Sequence, residues 1–228
     1  MRNLLLSIPV FAAAALLSGC STTPQPSVAG GVILFNGHNL EGWRSYLANH
    51  HLSTPDVWSV QDGILICRGE PMGYLYTDRD FANFKLVVEW RWAPGKAPGN
   101  SGILMRINGE PRSLPRCIES QLKSGSAGDL YAFHEMGLGG ESERVQTIKD
   151  HALGGNITGL PRLSTNEAKP GEWNRAEVTV RGDSIVVVIN GVKVNEATGA
   201  EIMAGPIGLQ SEGGEIHFRR VEIVPLNL

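Results

Sequence analysis

The sequence predicts an all-β fold, a sandwich of two sheets arranged as a jelly roll, on three observations. Short apolar runs recur between clusters of Gly, Pro, Asn and Asp; the runs alternate with period two; and no window offers an amphipathic helix of about twelve residues. The run from Phe84 to Trp92 shows the alternation best. Phe84, Leu86, Val88, Trp90 and Trp92 fall on one face, while Lys85, Glu89 and Arg91 lie opposite with Val87, which is the pattern of a half-buried strand.

The other elements follow in the same way. Strands are predicted at Val57–Val60, Ile64–Cys67, Phe84–Trp92, Ile103–Ile107, Cys117–Leu122, Ala176–Arg181, Ser184–Asn190, Ile207–Gln210 and Ile216–Val224. Gly182-Asp183 and Asn190-Gly191 read as tight turns, the second suited to the positive φ of a type I′ turn, so Ala176 to Asn195 forms a meander. Ser124 to Thr165 is glycine-rich and reads as a long irregular stretch, of the kind that forms functional rims or lids. There is no internal repeat, and residues 32–228 are expected to form one β-sandwich catalytic domain.

The N-terminus is a targeting device. Arg2 precedes an apolar stretch, Leu4 to Leu17, that is short for a membrane span, which needs about 20 apolar residues. It ends on Leu17-Ser18-Gly19-Cys20, which resembles a bacterial lipobox, so residues 1–19 are expected to be a signal peptide and Cys20 the lipidated residue. Residues 20–31 then form a Ser/Thr/Pro/Gly-rich tether. Resemblance to the lipoprotein sorting pattern adds that Ser21, not being Asp, favours the outer membrane. The expected location is the cell envelope, on an outer-membrane anchor facing the periplasm, with the membrane as a partner through the lipid.

The whole chain carries 20 basic and 23 acidic residues, and signal removal takes away only Arg2. This mild acidity gives no electrostatic case for nucleic acid. Cys67 and Cys117 lack framework spacing and are expected to be buried free thiols, although an oxidising compartment permits a bridge. None of the six histidines, His38, His50, His51, His134, His151 and His217, stands in a zinc-type spacing, so no metal ligand is assigned; a divalent metal held by distant segments stays open.

Several residues are candidates for chemistry. Glu119 and Gln121 alternate on one strand, on one face and about 7 Å apart, with Ile118 and Leu122 directed to the core. The same spacing also describes an ordinary solvated sheet face. Asn100, before the next predicted strand, offers an amide to substrate hydroxyls, although Asn-Ser-Gly is also turn chemistry. Arg106, in an otherwise apolar strand, suits an anionic oxygen. Gln210 and Glu212 form a second i, i+2 pair before a glycine break, followed by Arg219; the alternative is a loop glutamate with a surface arginine. His134, beside Glu135, is a candidate base or an exposed bystander. The tryptophans Trp43, Trp58, Trp90, Trp92 and Trp173 are mostly core by pattern.

Beyond spacing, Leu34-Phe35-Asn36-Gly37 with Leu40-Glu41-Gly42-Trp43 resembles the opening of the 3-keto-disaccharide hydrolase domain family, also described as 3-keto-glucoside 1,2-lyase and 2-hydroxy-glucal hydratase. The resemblance continues in order through Trp58-Ser59-Val60, Asn100-Ser101-Gly102-Ile103 with Arg106, Ile118-Glu119-Ser120-Gln121-Leu122, Gly128-Asp129-Leu130-Tyr131, Gly171-Glu172-Trp173-Asn174, Gly208-Leu209-Gln210-Ser211-Glu212-Gly213 and Ile216-His217-Phe218-Arg219. Arg220 stands where Asn commonly follows Phe-Arg, and Lys123 where many relatives carry Asp. The resemblance implies a concanavalin A-like jelly roll and a 3-keto-sugar substrate, cleaved by C2 proton abstraction and loss of the C1 leaving group, followed by hydration. Such a route needs one base and donors for an enolate, rather than the two spaced carboxylates of ordinary glycosidases. On this reading Glu119 is the base or orients it, with His134 and Glu212 as competitors, while Gln121, Asn100, Gln210, Arg106 and Arg219 hold hydroxyls and the enolate. The alternatives are a non-catalytic carbohydrate-binding module and a conventional glycosidase in which Glu212 or Glu215 faces Glu119.

Overall fold

A computed structural model describes residues 30–227. The expected signal peptide, Cys20 and the tether up to residue 29 lie outside the described residues. The described residues form sixteen strands: β1 (Val32–Ile33), β2 (Trp43–Leu47), β3 (Trp58–Gln61), β4 (Ile64–Cys67), β5 (Gly73–Thr77), β6 (Phe84–Trp92), β7 (Gly102–Asn108), β8 (Arg116–Gln121), β9 (Leu130–Ala132), β10 (Gln146–His151), β11 (Gly155–Leu160), β12 (Asn174–Arg181), β13 (Ser184–Ile189), β14 (Val192–Ala197), β15 (Gly208–Ser211) and β16 (Ile216–Pro225). One short helix, α1 (Thr54–Val57), precedes β3.

Two antiparallel sheets face each other. Sheet A runs β14-β13-β12-β6-β16-β4-β3, with β1 added on β16; sheet B runs β10-β11-β9-β8-β7-β15-β5-β2. The core lies between them, because period-two alternation gives each sheet one greasy face. Trp90, Phe218, Val178 and Leu86 of sheet A and Ile103, Ile118, Leu75 and Leu209 of sheet B are all fully buried there. Strand β6 sits centrally, between β12 and β16, and its predicted bounds match. The meander β12-β13-β14 turns at Gly182 and at Asn190-Gly191, whose φ values of 48° and 83° are those a type I′ turn requires.

The stretch expected to be irregular, residues 124–165, instead contains β9, β10 and β11. All six residues of β10 are exposed and β9 has only three, so neither carries the one-sided burial that makes a strand readable. Strands β2 and β5 were likewise not expected. Cys67 and Cys117 are free and buried; Cys67 faces the inter-sheet core and Cys117 the opposite face of sheet B.

Candidate active site

The outer face of sheet B is set by the same alternation that builds the core. On β8, Ile118 points inward, so Cys117, Glu119 and Gln121 point outward; on β7 Leu104, and on β5 Tyr74, share that outer face. Glu119 nevertheless has only 2% of its surface exposed. Its carboxyl leans over Gly102, the diagonal neighbour on β7 two residues from its register partner Leu104: a Cβ on Gly102 would stand 1.9 Å from Glu119 Oε1. The missing side chain is what gives the carboxyl its seat.

A second close approach brings the neighbouring segments in. Gly99 packs so tightly on the Gly213-Gly214 backbone that a Cβ there would fall 1.9 Å from the Gly213 carbonyl oxygen, and the Asn100 N–H donates to that same oxygen at 2.8 Å. Asn100, ahead of β7, and Glu212, just after β15, thereby become neighbours. The side-chain amides of Asn100 and Gln210 both donate to the Glu212 carboxylate. Gln210 is fixed from behind, since the Ser101 hydroxyl donates to its main-chain carbonyl at 2.8 Å.

Three acceptor oxygens in this cluster are buried without a hydrogen-bond partner: Asn100 Oδ1, Glu119 Oε1 and Gln210 Oε1. Native interiors rarely leave such atoms orphaned, and three together in one site mark a place where a ligand donates hydrogen bonds. The electrostatics divide the two acids. Burial, and then the negative charge of Glu212, push the Glu119 carboxyl well above the ordinary carboxylate value. Burial also raises Glu212, but the bonds from Asn100 and Gln210 and the charges of Lys123 and His151 oppose it. The arrangement is a coupled pair of carboxyls with the proton biased towards Glu119.

Tyr74 stands opposite Gln210 in the β15–β5 register and Tyr131 opposite Glu119 in the β8–β9 register. Tyr74 stacks on Tyr46 at 5.6 Å and meets Tyr76 at 5.4 Å, giving an aromatic row beside the polar cluster. Burial raises both the Tyr74 and Tyr131 phenols, and the charge of Asp129 adds to the rise at Tyr131. Gln121 is 8% exposed, and its side-chain carbonyl accepts from the Leu122 and Lys123 N–H groups at 2.9 and 2.8 Å, so half of its amide is committed to the turn that follows β8.

Asn100, Glu119, Gln210 and Glu212 therefore come together, with Gln121 on the same strand face. Three expected participants do not join them. Arg106 is almost fully buried and binds three carbonyls, of Glu201, of Gly182 at 2.6 Å and of Ala82 at 3.5 Å. It sits at a β-bulge with φ 55°, which turns its side chain to the loops between the sheets. Arg219 lies on the outer face of sheet A, bonded to Glu89 at 2.6 Å, because it follows the inward-facing Phe218 on β16, a strand of that sheet. His134 lies three residues beyond Tyr131 and is anchored by Nε2 to the Leu114 carbonyl at 2.9 Å, about 10 Å along the strand from Glu119. Glu215 does not face Glu119 either; it pairs with Lys96 at 2.5 Å and His217 at 3.0 Å.

The sequence reading did not single out His151, Tyr74 or Tyr131. The alternation Gly-Tyr-Leu-Tyr-Thr in β5 is the signal that could have found Tyr74; nothing local marks His151, whose charge acts on Glu212 from the end of β10. Among the described residues no group of three His, Cys, Asp or Glu side chains stands together to hold a metal, and no step is derived through one.

Residues 30–224 match the model of the 3-keto-alpha-glucoside-1,2-lyase-like domain. The chain belongs to this family. A 3-keto-disaccharide hydrolase of Bacteroides thetaiotaomicron is 24% identical over 249 residues, 87% of this chain and 79% of that protein. Among solved structures, a Parabacteroides distasonis protein named as a candidate glycosyl hydrolase aligns with a TM-score of 0.63 at 21% identity, over 87% of this chain and 95% of that one. The Bacillus licheniformis β-glucanase aligns at 0.55 and 13%, over 88% and 100%. At those identities the two structures establish a shared fold, the concanavalin A-like jelly roll expected from the sequence. Family membership places the chain among carbohydrate-active, 3-keto-disaccharide hydrolase-like proteins.

Proposed function

We propose that this member of the family cleaves 3-keto-glycosides by elimination across C1 and C2 and then hydrates the product. The observation that supports it is the meeting of three orphaned acceptors with two carboxyls, of which Glu119 is the more strongly raised. Asn100, Gln210 and the free oxygen of Glu119 accept from sugar hydroxyls, and the tyrosine row flanks the ring. A C3 ketone acidifies the C2 proton. Glu212, the more exposed and less perturbed acid, takes that proton, and the electron pair forms the C2–C3 enolate. As the enolate collapses, the C1–O bond breaks and the departing oxygen receives the proton held by Glu119. The pair has then gained one proton and lost one. Hydration runs the same steps backwards with water in place of the alcohol: the hydroxyl adds to C1 and a proton returns to C2. Glu119 is thus assigned as the acid and Glu212 as the base.

A conventional glycosidase is the second reading, favoured by the electrostatic coupling of Glu119 to Glu212. Both are tested by incubating the protein with a disaccharide and its 3-keto form, following monosaccharide release and 2-hydroxy-glucal absorbance. Turnover of the keto form alone, lost in Glu212→Gln by about a hundredfold or more, is the expected result. Turnover of the plain disaccharide selects the second reading, and saturable binding with no turnover of either makes the domain a carbohydrate-binding module. We further propose that the enzyme works in the cell envelope, anchored through Cys20.

A further inference from the structure

On the far side of the sandwich from Glu119, the outer face of sheet A carries a cavity of about 590 Å³. Its floor is polar. Arg91 of β6 and Arg219 of β16 both stand over the ring of Trp173, with guanidinium carbons 4.5 and 4.4 Å from its centroid. Ile33 and Ile64 contribute exposed apolar surface to the wall.

The two arginines differ in how they are compensated. Glu89 is 5% exposed and takes Arg219 at 2.6 Å, Arg175 at 3.3 Å and Arg220 at 3.7 Å, so its charge is already shared among three guanidiniums. Arg91 has no carboxylate partner among the described residues, and its Nε is buried without a hydrogen-bond partner. Burial and the adjacent positive charge of Arg219 both work against its protonated form. A guanidinium stays charged in proteins and presents a planar fork suited to an oxyanion. Holding an uncompensated one in a cavity beside a second is costly unless something supplies the missing acceptors. The aromatic ring attracts the cation but offers no acceptor in the guanidinium plane.

We propose that this cavity is a second ligand site, separate from the carboxyl pair, which binds an oxyanion borne by a sugar, as a phosphate ester or a carboxylate, on Arg91 and Arg219, with the sugar body against Ile33 and Ile64. The hydrogen-bond demand of the two sites is opposite. The sheet B cluster is rich in orphaned acceptors and takes a neutral, hydroxyl-rich ring, whereas the sheet A cavity has an orphaned donor and takes a negative group. Such a site gives the domain a hold on acidic glycans or phosphorylated sugars at a distance from the reacting bond.

The full chain in detergent micelles is titrated calorimetrically with glucose 6-phosphate, glucuronate, inorganic phosphate and glucose, with tryptophan fluorescence as a parallel readout. Saturable binding of the charged sugars is expected, weakened about tenfold or more in Arg91→Met, whereas any binding of glucose is expected to be unchanged in that variant. Arg91→Lys, which keeps the charge and loses the fork, should fall between. Inorganic phosphate binding as tightly as the sugar phosphate supports the arginine site and assigns the free ion as ligand; preference for the sugar phosphate supports it and places the sugar on the wall. No saturable binding of any anion overturns the proposal, as does binding unchanged in both Arg91 variants with native circular dichroism.

Discussion

Replacing Gly102 by alanine tests the placement of Glu119 without touching either acid. A Cβ at residue 102 would sit 1.9 Å from Glu119 Oε1, 2.7 Å from Cδ and 2.8 Å from Cγ. Ordinary contact for such atoms begins near ~3.4 Å, so the carboxyl has to retreat by about 1.5 Å. Displacing a catalytic group by about 1 Å costs on the order of a hundredfold in rate. The contact is with the end of a flexible side chain, so the strand itself yields little, and overpacking is expected to cost about 1–2 kcal/mol of stability. The assay is turnover of a 3-keto-disaccharide, with thermal unfolding measured alongside. Gly102→Ala should lose about a hundredfold in kcat while remaining folded. In a Glu119→Ala background the same substitution should cost almost nothing further, because the atom it displaces is gone. A folded Gly102→Ala protein with activity within about threefold of the parent would refute the role given to Glu119.

Other outcomes follow from the same coordinates. Glu119 has its folded-state pKa raised by burial and by Glu212, so the native state holds the proton more tightly than the unfolded chain. That stabilising effect is complete below the ordinary carboxylate value and is lost as pH rises through the folded-state value. Glu119→Gln should therefore unfold at a higher temperature than the parent in alkaline buffer, with the gap closing in acid; a pH-independent gap would contradict the buried, proton-holding carboxyl. Arg106→Met removes the clamp on the Ala82, Gly182 and Glu201 carbonyls and should cost about 3 kcal/mol in chemical denaturation, with KM for the keto sugar unchanged; a raised KM at unaltered stability would restore Arg106 to the substrate site. Cys20→Ser should abolish incorporation of radiolabelled palmitate and release the protein from the membrane fraction, and labelling that persists would remove the anchor.

Most strands were legible because a half-buried strand writes its burial into the chain: β4 and β6 match their predicted bounds, and Glu119-x-Gln121 was placed on an outward face by alternation alone. The strands that went unread are short or bare on both sides. Strand β10 buries nothing, so its residues carry no period, yet its hairpin brings His151 towards Glu212.

The alternation of apolar side chains, set by backbone geometry alone, determined that this protein is a two-sheet sandwich and which face of β8 carries Glu119. A bulge decided the place of Arg106, turning it into a loop clamp, whereas Arg219 follows the inward-facing Phe218 on β16 and so faces outward on the opposite sheet. The union of Asn100, Gln210 and Glu212 around the buried acid, and the rise of that acid's pKa by burial, were left to tertiary structure. Close backbone approach at Gly99 and the solvent excluded from Glu119 depend on distances between segments far apart in the chain, and those distances exist only once the sheets have packed.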